Sequence, residues 1–167
     1  MSGSMDHHLF KSPGHDHGRC VKTAMNRAEQ VCQRSGSRLT TLRRRVLELL
    51  WQNHAPLSAY ELLELLVRDG RKAQPPTIYR SLEFLLECGL IHRVESLNAY
   101  IGCDQPQKEH ETGFFICESC GYVAELSDSS INLSISKNAE LLGFRVHKPT
   151  IEISGLCKFC TEDNDEH

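Results

Sequence analysis

Residues 57–102 read LSAYELLELLVRDGRKAQPPTIYRSLEFLLECGLIHRVESLNAYIG. Ser58-Ala-Tyr-Glu61 is a capping box: the Ser58 hydroxyl accepts from the backbone at N3 while Glu61 reaches back. It opens a helix whose buried face is Leu62, Leu63, Leu65 and Leu66, ended at Gly70. Pro75-Pro76 opens a second helix, because proline is tolerated in a first turn. Ile78, Leu82, Leu85 and Leu86 form its apolar stripe, Thr77, Arg80 and Ser81 its polar face, and Gly89 its stop. Two β-prone runs, 91–95 and 99–102, flank Ser96-Leu97-Asn98 as a hairpin. Helix, short turn, helix and hairpin make a winged helix, whose second helix is expected in the DNA major groove.

Upstream, Leu42, Val46, Leu49 and Leu50 repeat at helical spacing, as do Ala24, Ala28 and Val31, with Gly36 between the two helices. Residues 19–45 carry Arg19, Lys22, Arg27, Arg34, Arg38, Arg43, Arg44 and Arg45 against one acid, Glu29. Such a cluster suits phosphate contacts, which supply most nucleic-acid affinity; the plainer reading is a solvated helix face. Residues 1–18 read as a flexible arm, in which His7, His8, His15 and His17 bind metal loosely at most.

The chain has 167 residues and a net charge of −3, which splits into +4 over residues 1–96 and −7 over 97–167. A basic module followed by an acidic one is the expectation. The second starts near 112, with strands at TGFFIC and YVAEL, a helix over 128–142 with Ile131, Ile135, Ala139 and Leu142 on one face, and strands at FRV and TIEIS. About 55 residues struggle to bury enough core alone, so a structural metal and dimerisation are both expected aids. No apolar run reaches the length of a transmembrane helix and the N-terminus lacks an apolar stretch, so a cytoplasmic protein without membrane contact is expected.

Eight cysteines fit poorly with a disulfide scaffold in a reducing compartment. Cys117-Glu-Ser-Cys120 and Cys157-Lys-Phe-Cys160 each follow a strand. Two such turns supply four thiolates, the closed tetrahedral donor set of structural zinc; a redox pair or disulfides are the alternatives. Cys20, Cys32 and Cys88 read as free thiols. Cys103 lies between the modules, eleven residues after His92 and seven before His110. A mixed nitrogen and sulfur site completed by a carboxylate is one reading of that spacing, ordinary polar side chains the other.

From about residue 24 to 160 the chain resembles the ferric uptake regulator (Fur) family of bacterial metalloregulators, and within it the zinc uptake regulator branch. The resemblance rests on Arg38-Leu39-Thr40 through Arg43, Leu57 through Leu63, Pro75 through Leu82 and His92 through Ser96. Phe115-Ile116-Cys117-x-x-Cys120-Gly121 and Gly155-Leu156-Cys157-x-x-Cys160 complete it. It implies an α+β architecture: a winged-helix DNA-binding domain over 19–102, a hinge over 103–111 and a small α/β dimerisation domain over 112–167. It assigns structural zinc to Cys117, Cys120, Cys157 and Cys160, and a regulatory zinc to His92, Cys103, His110 and Glu125, giving two Zn²⁺ per chain. DNA contacts map to Tyr60 and to Thr77, Tyr79 and Arg80 on the helix opened by Pro75; the arginines of 38–45 (Arg38, Arg43, Arg44 and Arg45) are expected as phosphate clamps. The implied protein is no enzyme but a homodimeric, zinc-responsive repressor of zinc-uptake genes on a near-palindromic operator. A regulator of another divalent metal such as iron or manganese is the alternative. Iron-type members carry a His-rich run before the first C-x-x-C, where this chain has one histidine, His110. His147 lies near a position used for a further metal in some members.

Overall fold

The computed structural model describes residues 17–52, 55–106 and 113–164. They fall into two compact units, one before residue 107 and one from residue 113 on.

The first unit runs α1 (His17–Arg34), α2 (Thr41–Gln52), α3 (Ala59–Arg68), α4 (Pro75–Glu87), β1 (Ile91–Val94) and β2 (Ala99–Gly102). The capping box forms as read: Glu61 N–H donates to Ser58 Oγ at 3.2 Å, and Ser58 N–H donates to Glu61 Oε2 at 2.7 Å. The periodic apolar residues meet in one core, with Ala28, Val46, Leu50, Leu62, Leu66, Ile78, Leu82 and Leu85 all essentially sealed from solvent. Each Val, Leu and Ile among them contributes about 1.5–3 kcal/mol by leaving water. Gly89, with φ of +66°, ends α4: its N–H donates to Leu86 O at 2.9 Å and the Leu90 N–H to Leu85 O at 2.9 Å. A left-handed residue there satisfies carbonyls the helix leaves open, and only glycine adopts it without strain.

β1 and β2 pair antiparallel, with Val94 opposite Ala99 and Ile91 opposite Gly102. The wing has a third rung absent from the sequence reading. Leu57 and Tyr100 exchange backbone hydrogen bonds of 3.0 and 2.9 Å, so the segment before α3 joins the hairpin edge.

The second unit contains β3 (Gly113–Cys117), β4 (Val123–Leu126), α5 (Ser129–Leu141), β5 (Ile151–Gly155) and α6 (Lys158–Asn164). Its sheet has the order β4-β3-β5, antiparallel between β3 and β4 and parallel between β3 and β5. Asp128 caps α5 by accepting from Ser130 N–H at 2.8 Å. Phe114, Ile116, Val123, Ala124 and Ala139 are the buried hydrophobic residues beside the cysteines among its described residues.

The second unit departs from two sequence expectations and adds one element. Residues 144–146 form no strand. The Phe144 N–H instead donates to Ala139 O at 2.8 Å and the Gly143 N–H to Glu140 O at 3.0 Å, closing the end of α5. That closure consumes the backbone a ladder would need. Leu142, placed on the buried face of α5, is 82 % exposed because it caps the helix rather than continuing it. After the second C-x-x-C the chain forms α6, an element the sequence reading lacks.

Candidate metal centres and nucleic-acid face

The parallel pairing of β3 and β5 brings together cysteines far apart in sequence. Cys117 ends β3 opposite Gly155 of β5, two residues before Cys157. The Glu118 N–H donates to Gly155 O at 2.9 Å, extending the ladder past the strand end. Gly121, at φ +73°, donates its N–H to Cys117 O at 2.9 Å and turns the chain back towards β4. Cys157 precedes α6 and Cys160 lies in its first turn. One sulfur from each of the four lies within 4.8 Å of all the others, and Cys120 Sγ is 3.9 Å from Cys157 Sγ. Four sulfurs about 2.3 Å from a central ion stand about 3.8 Å apart in a tetrahedron, so this donor set fits zinc. None of the eight cysteines forms a disulfide.

The electrostatics favour a thiolate here. Burial pushes the Cys117 thiol up, but the backbone N–H groups of Cys120, Cys157 and Ser119 outweigh it and hold the thiol down at about 6. The Cys157 N–H lies 3.4 Å from the Cys117 sulfur. Cys120 is pushed up to about 12, by burial first and then by the neighbouring sulfurs. Crowded sulfurs cannot all ionise without a cation, and a bound metal deprotonates its thiols.

His92 lies in β1 opposite Ile101, and Cys103 follows β2. The Cys103 N–H donates to Leu90 O at 2.9 Å, so the hairpin ladder continues one step and holds the thiol side by side with the imidazole. Their ligand atoms lie within 4.8 Å of each other, with Cys103 buried and His92 half-buried. A thiol and an imidazole side by side are donors suited to zinc. Glu125, in β4 opposite Phe114, is half-buried in the second unit. His110 lies outside the described residues, as do His7, His8 and His15; His147 is exposed.

On the helix pair, Tyr60 and Tyr79 are 70 % and 54 % exposed, large aromatic side chains without a core role. Thr77 and Arg80 are exposed on the same helix as Tyr79. Ser81 is not on that face: it is 4 % exposed and its hydroxyl donates to Thr77 O at 2.9 Å. It sits between Ile78, Leu82 and Leu85 on the core stripe, so helical geometry overrides its polarity.

The basic cluster also divides. Arg38 is exposed. Arg43 lies 3.5 Å over the Phe84 ring and donates to Arg38 O at 2.8 Å, so its guanidinium is engaged inside the unit. Arg44 pairs with Glu29, and Arg45 pairs with Asp69 at 2.6 Å and Glu48 at 3.2 Å. Arg44 and Arg45 therefore tie helices together rather than standing free for phosphate. Trp51 is a contact the sequence reading missed. A Cβ on Gly102 would lie 2.4 Å from its Nε1, so the indole rests on the β2 backbone. A glycine inside a strand pattern is the signal, since it marks such close approach.

The chain's sequence matches the ferric uptake regulator family over residues 34–154. The zinc uptake regulation protein of Escherichia coli (strain K12) is 41% identical over 138 residues, which cover 81% of this chain and 80% of that protein. A solved zinc uptake regulator complexed with zinc and DNA superposes with a TM-score of 0.81 at 37% identity, covering 87% of this chain and 97% of the other. The crystal structure of holo XcZur gives a TM-score of 0.76 at 35% identity, covering 84% and 98%. With more than two thirds of its residues inside the family match, and 41% identity to a zinc uptake regulation protein over 81% of its length, the chain belongs to the ferric uptake regulator family.

Proposed function

We propose that this protein is a zinc-responsive, DNA-binding transcriptional regulator that represses zinc-uptake genes when zinc is bound. The observation that carries the reading is the His92 and Cys103 pair at the base of the wing, a zinc-type donor couple built into the DNA-binding unit itself. The likeness to a zinc uptake regulator complexed with zinc and DNA supports it. The chain is a regulator and not an enzyme.

Two zinc ions per chain are proposed. One is held by Cys117, Cys120, Cys157 and Cys160 and keeps the second unit folded. The other is held by His92 and Cys103 together with His110 and Glu125, the pair drawn from beyond the wing. Zinc supplies a fixed tetrahedral centre that accepts soft and borderline donors. The residues do the rest: His92 and Cys103 supply an imidazole and a thiolate already side by side at the base of the wing. A ligand shifts an equilibrium only by its differential affinity, and such coupling is typically about 1–3 kcal/mol.

Tyr60, Thr77, Tyr79 and Arg80 form the base-reading face, with Arg38 on phosphate. Arg80 suits a guanine edge through its paired donors. The second unit leaves Leu141, Leu142, Phe144, Ile153 and Leu156 exposed, an apolar set that fits a homodimer. A twofold dimer then reads a near-palindromic operator with half-sites about one helical turn apart, or a multiple. Among the described residues no helix is long and apolar enough to cross a membrane. A regulator of chromosomal DNA works in the cytoplasm.

The test is operator binding while free zinc is titrated, with metal counted per chain. One retained zinc and one exchangeable zinc, with DNA binding following the second, is the expected result. DNA binding indifferent to zinc but driven by Fe²⁺ or Mn²⁺ would replace this reading with the other-metal alternative.

A further inference from the structure

Three consecutive residues at the exit of the wing are each held by a different part of the DNA-binding unit: α2, the turn that closes α4, and α1. Gly102 carries the Trp51 indole of α2 against its backbone, too close for any Cβ. The Cys103 N–H donates to Leu90 O at 2.9 Å, and the Leu90 N–H itself closes the end of α4 on Leu85 O at 2.9 Å. The Asp104 carbonyl accepts from Arg27 Nη1 of α1 at 2.8 Å, across 77 positions of sequence. Cys103 is thus gripped before, at and after its own position. Two of these anchors come from the core and from backbone, and persist whenever the unit is folded. The third is a single exposed side chain, Arg27, which can be removed without touching the core.

We infer that Arg27 is a positioning residue for Cys103, and that it sets the zinc concentration at which the protein binds its operator. The inference rests on the reading of Cys103 as a regulatory zinc ligand. Its physical content is preorganisation. With the carbonyl after Cys103 tied to α1, the thiol is already held beside His92 before a metal arrives. Without that tie, the segment leaving Cys103 is held less firmly in the free protein, and more of its ordering cost falls on metal binding, which lowers affinity. The charge on the guanidinium strengthens its hydrogen bond to the carbonyl. The same tie joins α1 and the end of α4 to one tripeptide, so the placement of the thiol and the placement of the DNA-reading helix share their supports.

A second role for an arginine in a basic helix is a DNA phosphate contact, and the two roles separate cleanly by experiment. The full-length dimer, Arg27→Ala and Arg27→Lys are compared with free zinc set by a chelator. Zinc affinity is read by competition with a chromophoric chelator in the absence of DNA, and operator affinity is read at saturating zinc. Arg27→Ala is expected to move the zinc midpoint of the exchangeable site up by about three- to tenfold. Operator affinity at saturating zinc should stay within about twofold of the parent. Arg27→Lys, which keeps one charged donor, is expected to recover most of the shift. An unchanged zinc midpoint in Arg27→Ala would overturn the inference. So would a loss of operator affinity at saturating zinc with the midpoint unmoved, which would make Arg27 a phosphate contact. If the parent protein itself showed no exchangeable zinc, the underlying reading of Cys103 would fail, a result distinguishable from both.

Discussion

The guanidinium of Arg43 lies 3.5 Å above the centroid of the Phe84 ring, stacking α2 on α4. A residue whose sequence context points to phosphate thus braces the helix proposed to read the bases. Arg43→Ala should cost about 0.5–1 kcal/mol of folding stability. It should leave the salt dependence of operator binding unchanged. Arg38→Ala should do the reverse, with stability intact and the slope of log K against log salt reduced by about 1. Thermal denaturation and a salt series on one operator fragment check both.

Arg80 and its chain neighbour Ser81 point to different fates. Arg80→Ala is expected to lose about 1–3 kcal/mol of discrimination between operator and unrelated DNA while keeping non-specific binding. Ser81→Ala should bind operator like the parent and stay within about 0.5 kcal/mol in stability, because the Thr77 carbonyl it bonds is already served by the helix. Equal discrimination by the Arg80 variant would remove it from the reading face.

Loss of one thiolate from the four-cysteine cluster should be severe. Cys117→Ser is expected to drop retained zinc by one per chain, to abolish the dimer and to lower stability by more than about 4 kcal/mol. Cys88→Ser, at the end of α4 and outside both clusters, should keep the full metal content. Metal analysis and sedimentation decide it. Normal zinc retention by Cys117→Ser would make the cluster something other than a structural site.

The capping box carries a pH signature. The Ser58 hydroxyl and then the Ser58 backbone N–H hold the Glu61 carboxyl below its ordinary value of 4.5. A depressed carboxylate stabilises the fold fully above its unfolded value and loses that stabilisation as pH falls through the lower folded value. Glu61→Gln should therefore flatten the stability profile below about pH 4.5 relative to the parent. Ser58→Ala should cost about 1 kcal/mol at neutral pH.

Much of the first unit was legible because its signals are local. Apolar residues at helical spacing, a capping box and a glycine stop need only a few neighbours to act. The cysteine pairs were legible for the same reason, since each pair is one turn, although their meeting depends on the parallel register of β3 and β5. What escaped depends on distant partners. No local pattern says that Arg44 will meet Glu29 or that Arg45 will meet Asp69. Ser81 was misplaced by its polarity, although Ile78, Ser81, Leu82 and Leu85 follow a core periodicity. Phe144 has every mark of a strand residue except a free backbone, which Ala139 had taken.

The two cysteine turns stand at the same end of two neighbouring parallel strands, one central and one at the sheet edge. An ion there acts as a rivet on the edge. Among the described residues β5 pairs with β3 alone and has a half-exposed face, and α6 is too short to hold itself. Metal loss would then release β5 and α6 first, and the second unit would come apart from that edge while the first unit keeps its core. In amide exchange the damage would register as a local foldon coming loose, long before the chain as a whole unfolds.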